Sequence, residues 1–460
     1  MPQASEALRQ AAHGLNEYRL EMKLDDDQKT LAVAETLTFT NRTGDTLRTL
    51  VLRTWLGAYE TPEASPAALE EIFDACYPDG FSAGGLTLHG VTWNGKAAAW
   101  RYLDAENTAL EIDIPALAAG ETGEMQLHCV ARLPRCVHRT GYWAGEYRLN
   151  HVVPLLSVYE NGAWKTQPYA PVGDPFVSEC ANFTVALRLP EGFTPACTAW
   201  LAQSETGLWR GEALAARDLG LCVYRDVKTA QGKTGDTLVL AYADTAAGAK
   251  AALRAAQRAL VCFEALYGDY PYPVYTVCAA YFPFGGMEYP AMTLIGRDYF
   301  TPGKEDSLEL VAAHETAHQW FYALAGSDQF GQPWQDEAIC EYATLRYVQK
   351  RYGASACETL KAQRVDAAMQ DKTPGTLTPG SPIDYFAAYA DYATVVYGRG
   401  AALLLALDEM LPGGVDAFLR AYAARFAFQL VSRNEFEAFL NDYAGMDCSP
   451  LLLDYLDTVM

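Results

Sequence analysis

The chain has no long apolar run. Half of its 460 residues are apolar, yet no stretch approaches the roughly 20 consecutive apolar residues that a membrane-spanning helix needs. The longest candidate, 401–407, is far too short. Basic charge is also scarce, with 35 Lys and Arg against 57 Asp and Glu and a formal net charge of −22. Recognition of phosphate is built on an excess of Lys and Arg, so this balance argues against nucleic acid or an anionic membrane surface as a partner. Paired cysteines are missing too: the 11 cysteines are an odd number, scattered singly, with no CxxC. That pattern suits free thiols in a reducing compartment better than a disulfide framework or a thiolate metal site. The opening MPQASEALRQAA lacks the basic and apolar regions of a signal peptide, which points to the cytoplasm, with a trimmed export signal as the alternative. Oligomeric state is left open.

What the chain does have is enough apolar residues for more than one core, and its length suggests two or three domains. The first half reads as strands. YRLEMKL, the DDDQKT turn and LAVAETLTFTN form an opening hairpin, and Asn94-Gly95 is a type I′ turn signal between two further β-rich runs. Two stretches break this rhythm: 61–80, read as loop with a short helix, and 140–174, dense in aromatic residues, Pro and Gly and long enough to line a site. From about residue 246 the period becomes helical in AAGAKAALRAAQRALVCFEALYG, closed by Gly268. The expected division is an all-β domain over 1–235 and a mixed domain over 236–460, β first and helices after, in an α+β chain.

The mixed half contains His314, Glu315, Thr316, Ala317 and His318 in the run VAAHETAHQWFYALAG. Residues four apart share a helix face, so the two imidazoles would point at one spot, where a zinc ion can bridge them with Glu315 beside it as a base. A capping box from Asp306 to Glu309, apolar positions at helical spacing and Gly326 as the stop predict one helix through the motif. Read alone, the pair also fits hydrogen-bonded core histidines. A catalytic zinc takes three protein ligands and leaves a fourth position open. Glu337 in PWQDEAICEYATLRYV, with eighteen residues between it and His318, supplies the missing carboxylate from the next predicted helix. Glu341, one turn on, shares its face and is a candidate for supporting a ligand, although a surface role fits equally well.

HETAH followed by Glu337 in WQDEAICEY resembles the aminopeptidase N and leukotriene hydrolase family of gluzincin zinc peptidases. GGMEYP at 285–290 is similar to that family's GxMEN motif, YGRGA at 397–401 to its YxKGA, and GDPFVSECANFTVALRLP to the strand after its substrate-facing loop. The resemblance therefore covers most of the chain. It implies a saddle-like β domain before a thermolysin-like catalytic domain, and one Zn2+ per chain held by His314, His318 and Glu337. Glu315 would then be the general base, Tyr397 a donor to the developing oxyanion, and Glu288 the partner of a peptide's free amine, with Gly285, Gly286 and Met287 beside the substrate. It implies an aminopeptidase acting on peptides; that neither nucleic acid nor a membrane is a partner is expected from the charge balance and the lack of a long apolar run. The rival readings are a zinc endopeptidase or amide hydrolase with an open cleft, and a non-catalytic scaffold. Two departures stand out. The family's Asn after the motif Glu is Tyr289 here, followed by Pro290, and the helical domain that roofs the site in better-known relatives does not follow, so a more open cleft is expected. A second amine-binding residue is expected from 142–171, where Asn150 and Glu160 are the candidates.

Overall fold

The computed structural model describes residues 2–373 and 375–459. Period-two alternation in the opening hairpin becomes a strict inside–outside pattern in strands Asn16–Asp25 and Thr30–Thr40, paired antiparallel as far as Asp25↔Thr30. These two strands lie at the middle of an eight-stranded sheet. Its first strand pairs on the other side, in parallel, with Ala181–Arg188, in register from Asn16↔Ala181 to Lys23↔Arg188. Two four-stranded sheets and a two-stranded one, Tyr159–Glu160 with Ala163–Trp164, complete the half, and Leu20, Leu37, Leu50, Ile112 and Leu127 lie in its core. Asn94 and Gly95 have φ of 49° and 73° between the pair Trp93↔Lys96, as a type I′ turn requires. The break at 61–80 holds a 3₁₀ turn at Pro66–Ala68 and a one-turn helix at Phe73–Cys76.

The second half opens on a five-stranded sheet made of Lys228–Thr234, Thr237–Ala243, Val274–Ala280, Met292–Gly296 and, at one edge, Gly286–Met287. Its first two strands form a hairpin whose turn contains the expected boundary at 235/236. We place the junction before Lys228 instead, because both strands share one sheet with the catalytic half. The Ala-rich helix Ala246–Tyr267 is capped by the Thr245 hydroxyl and ends at Gly268. Helices Glu305–Ala317 and Trp334–Tyr352 follow, then a helical tail in which the capping box of Ser432 and Glu435 forms. Pro374, in the Pro- and Gly-rich loop expected at 373–382, lies outside the described residues.

The helix through HETAH differs from expectation at both ends. The Asp306–Glu309 capping box does not form, and Lys304 stands at the N-cap without a side-chain bond. The Glu309 carboxylate accepts instead from Tyr347 at 2.6 Å and Arg351 at 3.1 Å, donors that a local motif does not anticipate. The α-helix also stops at Ala317. A wider turn over Gln319–Leu324 takes its place, with a non-helical Phe321 at φ −113° and ψ 44°.

Buried polar contacts join the halves. The Arg217 guanidinium, from the first half, donates to the carbonyls of Tyr322 at 2.8 Å, Leu324 at 3.2 Å, Ser178 at 3.1 Å, and Gln429. A side chain on Gly326 would collide with it, because a Cβ there would lie 2.4 Å from the guanidinium carbon. Glu146, on a strand of the first half, accepts from Arg297 at 2.6 Å.

Candidate metal centre and active site

Helical spacing puts His314 and His318 on one face, and the next helix brings Glu337 against them. The three ligand atoms form a near-equilateral triangle: His314 Nε2 to His318 Nε2 is 3.2 Å, His314 Nε2 to Glu337 Oε2 is 3.2 Å, and His318 Nε2 to Glu337 Oε2 is 3.3 Å. Donors about 2.0–2.2 Å from a tetrahedral zinc are separated by about 3.3–3.5 Å, so this triangle fits one face of such a site.

Proton bookkeeping supports the same conclusion. Thr344 Oγ1 donates to the Cys340 carbonyl at 2.8 Å, so towards His314 Nδ1, at 3.3 Å, it acts as an acceptor. His318 Nδ1 lies 2.6 Å from Asp336 Oδ1. Both Nδ1 atoms therefore carry the proton, and two Nε2 lone pairs face each other and a carboxylate. A cation is what makes that arrangement favourable. Without a metal, protons on the two imidazoles play the cation's part, and against the upward push of burial they hold the Glu337 carboxyl well below the usual carboxylate range. These residues fit one zinc ion.

Glu315, one residue past the first ligand, lies against the edge strand. A Cβ on Gly286 would stand 2.4 Å from its carboxyl carbon, so only glycine admits the glutamate there. Gly285 has ordinary clearance, with nothing nearer than 3.9 Å. Burial pushes the Glu315 carboxyl well above its usual range, and the neighbouring acids Glu288, Glu337 and Asp174 add to the shift while His318 opposes it.

Glu288 is buried and borders the same cavity. The Gln329 amide donates to its Oε1 at 3.0 Å and, with its other proton, to Asp336. Its loop is held by the first residue of the kinked turn: Gln319 donates to the Tyr289 carbonyl at 3.1 Å and accepts from Ala291 N at 2.8 Å. Tyr289, in the family's Asn position, is buried and packs on Gly220, where a Cβ would meet its own Cβ at 2.7 Å. It supports the loop from behind.

Tyr397 stacks on His314, with ring centroids 5.6 Å apart and an interplanar angle of 21°, and its hydroxyl lies beside Glu337. Met287 is placed differently from the other motif residues. It is buried with its sulfur 3.2 Å from Arg139 Nε and does not line the cavity.

Sequence reasoning missed Asp174, Gln329, Asp336 and Thr344. Asp174 lies three residues beyond the stretch searched for a second acid from the first half. It lines the cavity, pairs with Arg139 at 2.5 Å, and is pushed by burial up to about 7. Asn150 and Glu160 do not line the cavity. The Asn150 amide instead donates to the Arg139 carbonyl at 2.8 Å, and Glu160 pairs with Lys165 at 2.9 Å. The cavity measures about 310 Å³.

Fold and site together define a gluzincin-type metallopeptidase domain, with two histidines and a glutamate around one metal position. Residues 251–455 match the family model described as the Peptidase family M1 domain. Leukotriene A-4 hydrolase of Xenopus laevis is 30% identical over 194 residues, covering 39% of this chain and 31% of that protein. Aminopeptidase N of Lactococcus lactis subsp. lactis is 24% identical over 403 residues, covering 81% and 46%. The chain thus spans between about three tenths and just under half of the length of these curated relatives. Among solved structures, an M1 zinc metallopeptidase from Deinococcus radiodurans superposes with a TM-score of 0.66 at 18% identity, covering 96% of this chain and 93% of that one, which bears on the fold alone. No described helix is long and apolar enough to cross a membrane.

Proposed function

We propose that the chain is a zinc aminopeptidase that hydrolyses the first peptide bond of peptides. The observation that carries this reading is Glu288, a buried carboxylate on the wall of the metal cavity, held in place by Gln329 and close to His318 and Glu315. A carboxylate there offers a charge partner to a free α-ammonium group, a cation that an internal peptide bond lacks. Asp174, which lines the same cavity, is the acid the first half brings there, paired with Arg139.

A zinc ion on His314, His318 and Glu337 would polarise the scissile carbonyl and lower the pKa of a water towards neutrality. The chain's own residues do the rest. Glu315, raised in basicity by its dry surroundings, takes the proton of the attacking water and delivers it to the leaving amine. Tyr397 donates its hydroxyl proton to the oxygen on which charge develops. Gly286 lets Glu315 and the substrate backbone share the edge of the sheet. All 11 cysteines are free, which supports a reducing, cytoplasmic setting.

The test offers one peptide with a free and with an acetylated N-terminus. The free form is cleaved at its first bond and the acetylated form is not; equal cleavage of both would overturn the exopeptidase reading in favour of an endopeptidase or amide hydrolase. Glu315→Gln loses turnover by three orders of magnitude or more while metal analysis still finds one zinc per chain.

A further inference from the structure

Two chains of contacts leave the metal triangle by different histidines. From His318 the path runs through Asp336 and Gln329 to Glu288. From His314 it runs to Glu341, whose Oε2 lies 3.6 Å from Nδ1, and on to Arg364, whose Nη1 donates to both Glu341 oxygens at 3.1 and 2.9 Å. The cavity is thus acidic at the end where the amine is placed and carries a guanidinium beyond the metal.

The other arginine lining it, Arg139, is buried and spent on Asp174. Arg364 is different. Its side chain is 38% exposed, and among the described residues its hydrogen bonds all come from Nη1. The edge formed by Nε–H and Nη2–H is left open, and that edge is the fork that takes a carboxylate in two parallel bonds. Glu341, 2% exposed, fixes the plane of the group. The Arg364 backbone is held in turn against the segment of Tyr397, because Gly398 has no side chain and a Cβ there would lie 2.7 Å from the Arg364 carbonyl.

We propose that Arg364 is the anchor for the C-terminal carboxylate of short peptides, so that di- and tripeptides with both ends free are the preferred substrates. This rests on the aminopeptidase reading above. Glu288 takes the ammonium, the metal position lies between, and Arg364 takes the carboxylate, matching the charge order of a zwitterion. The volume agrees: about 310 Å³ is at the small end of the roughly 300–1,000 Å³ typical of ligand sites.

The experiment measures kcat/KM on zinc-loaded protein for one tripeptide in three forms: both ends free, C-terminally amidated and N-acetylated. Amidation lowers kcat/KM about tenfold or more, mainly through KM, as expected for loss of a hydrogen-bonded charge pair. Arg364→Gln brings the free-acid to amide ratio down to about 2 or less, and Arg364→Lys, which keeps the charge and loses the fork, gives an intermediate ratio. Because the ratio compares two substrates on one variant, a general loss of activity or metal leaves it unchanged. A wild-type ratio near 1, or a ratio that Arg364→Gln leaves intact, overturns the assignment. Equal cleavage of the acetylated form overturns the role of Glu288 while the amide ratio still decides that of Arg364.

Discussion

Glu35 is 1% exposed, and neither of its carboxylate oxygens meets a partner among the described residues. It faces inward from strand Thr30–Thr40, opposite Leu20 on one side and Leu127 on the other, and burial pushes its carboxyl well above the usual range. The native state therefore keeps a proton that the unfolded chain releases near pH 4.3. Above that value the folded form binds more protons, and stability falls with rising pH, by up to about 1.4 kcal/mol per unit, until the folded pKa is passed. Glu35→Gln removes the titration. Its unfolding free energy in urea should gain on the wild type between pH 5 and pH 8, and parallel curves for the two proteins would exclude the effect.

At the scale of elements, helix Trp334–Tyr352 holds most of the metal support. Glu337, Glu341 and Thr344 share a face at offsets of four and three, and Asp336 reaches His318 from the neighbouring position. Asp336→Asn replaces the proton acceptor of His318 Nδ1 with a group that can present either end. Loss of such support typically costs 10–100-fold in metal affinity, so chelator competition on the variant should show a drop in that range, and unchanged affinity would remove Asp336 from the metal centre. The same helix shows what the sequence made legible. His314, His318 and Glu337 were readable because the period of a helix fixes which residues share a face. Gly286 and Glu288 were readable through the similarity of GGMEYP to a family motif. Asp336 and Thr344 were not, since their roles depend on which imidazole atom packs beside them. Asp174 and Gln329 come from loops whose path only tertiary packing sets. The kink after Ala317 was hidden for the same reason: Gln319 leaves the helix to bond Tyr289 and Ala291, partners separated from it by 30 and 28 residues.

At the scale of the molecule, the halves are held by a guanidinium rather than by apolar contact alone. Arg217→Met keeps much of the volume but removes a donor from four carbonyls; those of Leu324 and Gln429 keep the backbone N–H groups of Phe428 and Gly326, and those of Tyr322 and Ser178 lose the bond that Arg217 gave them. Each unpaired buried acceptor costs about 1–3 kcal/mol, so with two of them the variant should lose at least about 2 kcal/mol in denaturant unfolding. Its single transition should separate into two as the halves uncouple; one unshifted transition would show that the contact carries no coupling.

The parallel pairing of Asn16–Asp25 with Ala181–Arg188 has a consequence in time. During synthesis the opening hairpin emerges early, but the strand that covers its outer edge lies about 140 residues further along. At roughly 5–20 residues per second that edge stays bare for on the order of 10 s. For that interval the nascent chain presents an unpaired row of peptide groups, and the ribosome's pace sets how long it must be shielded.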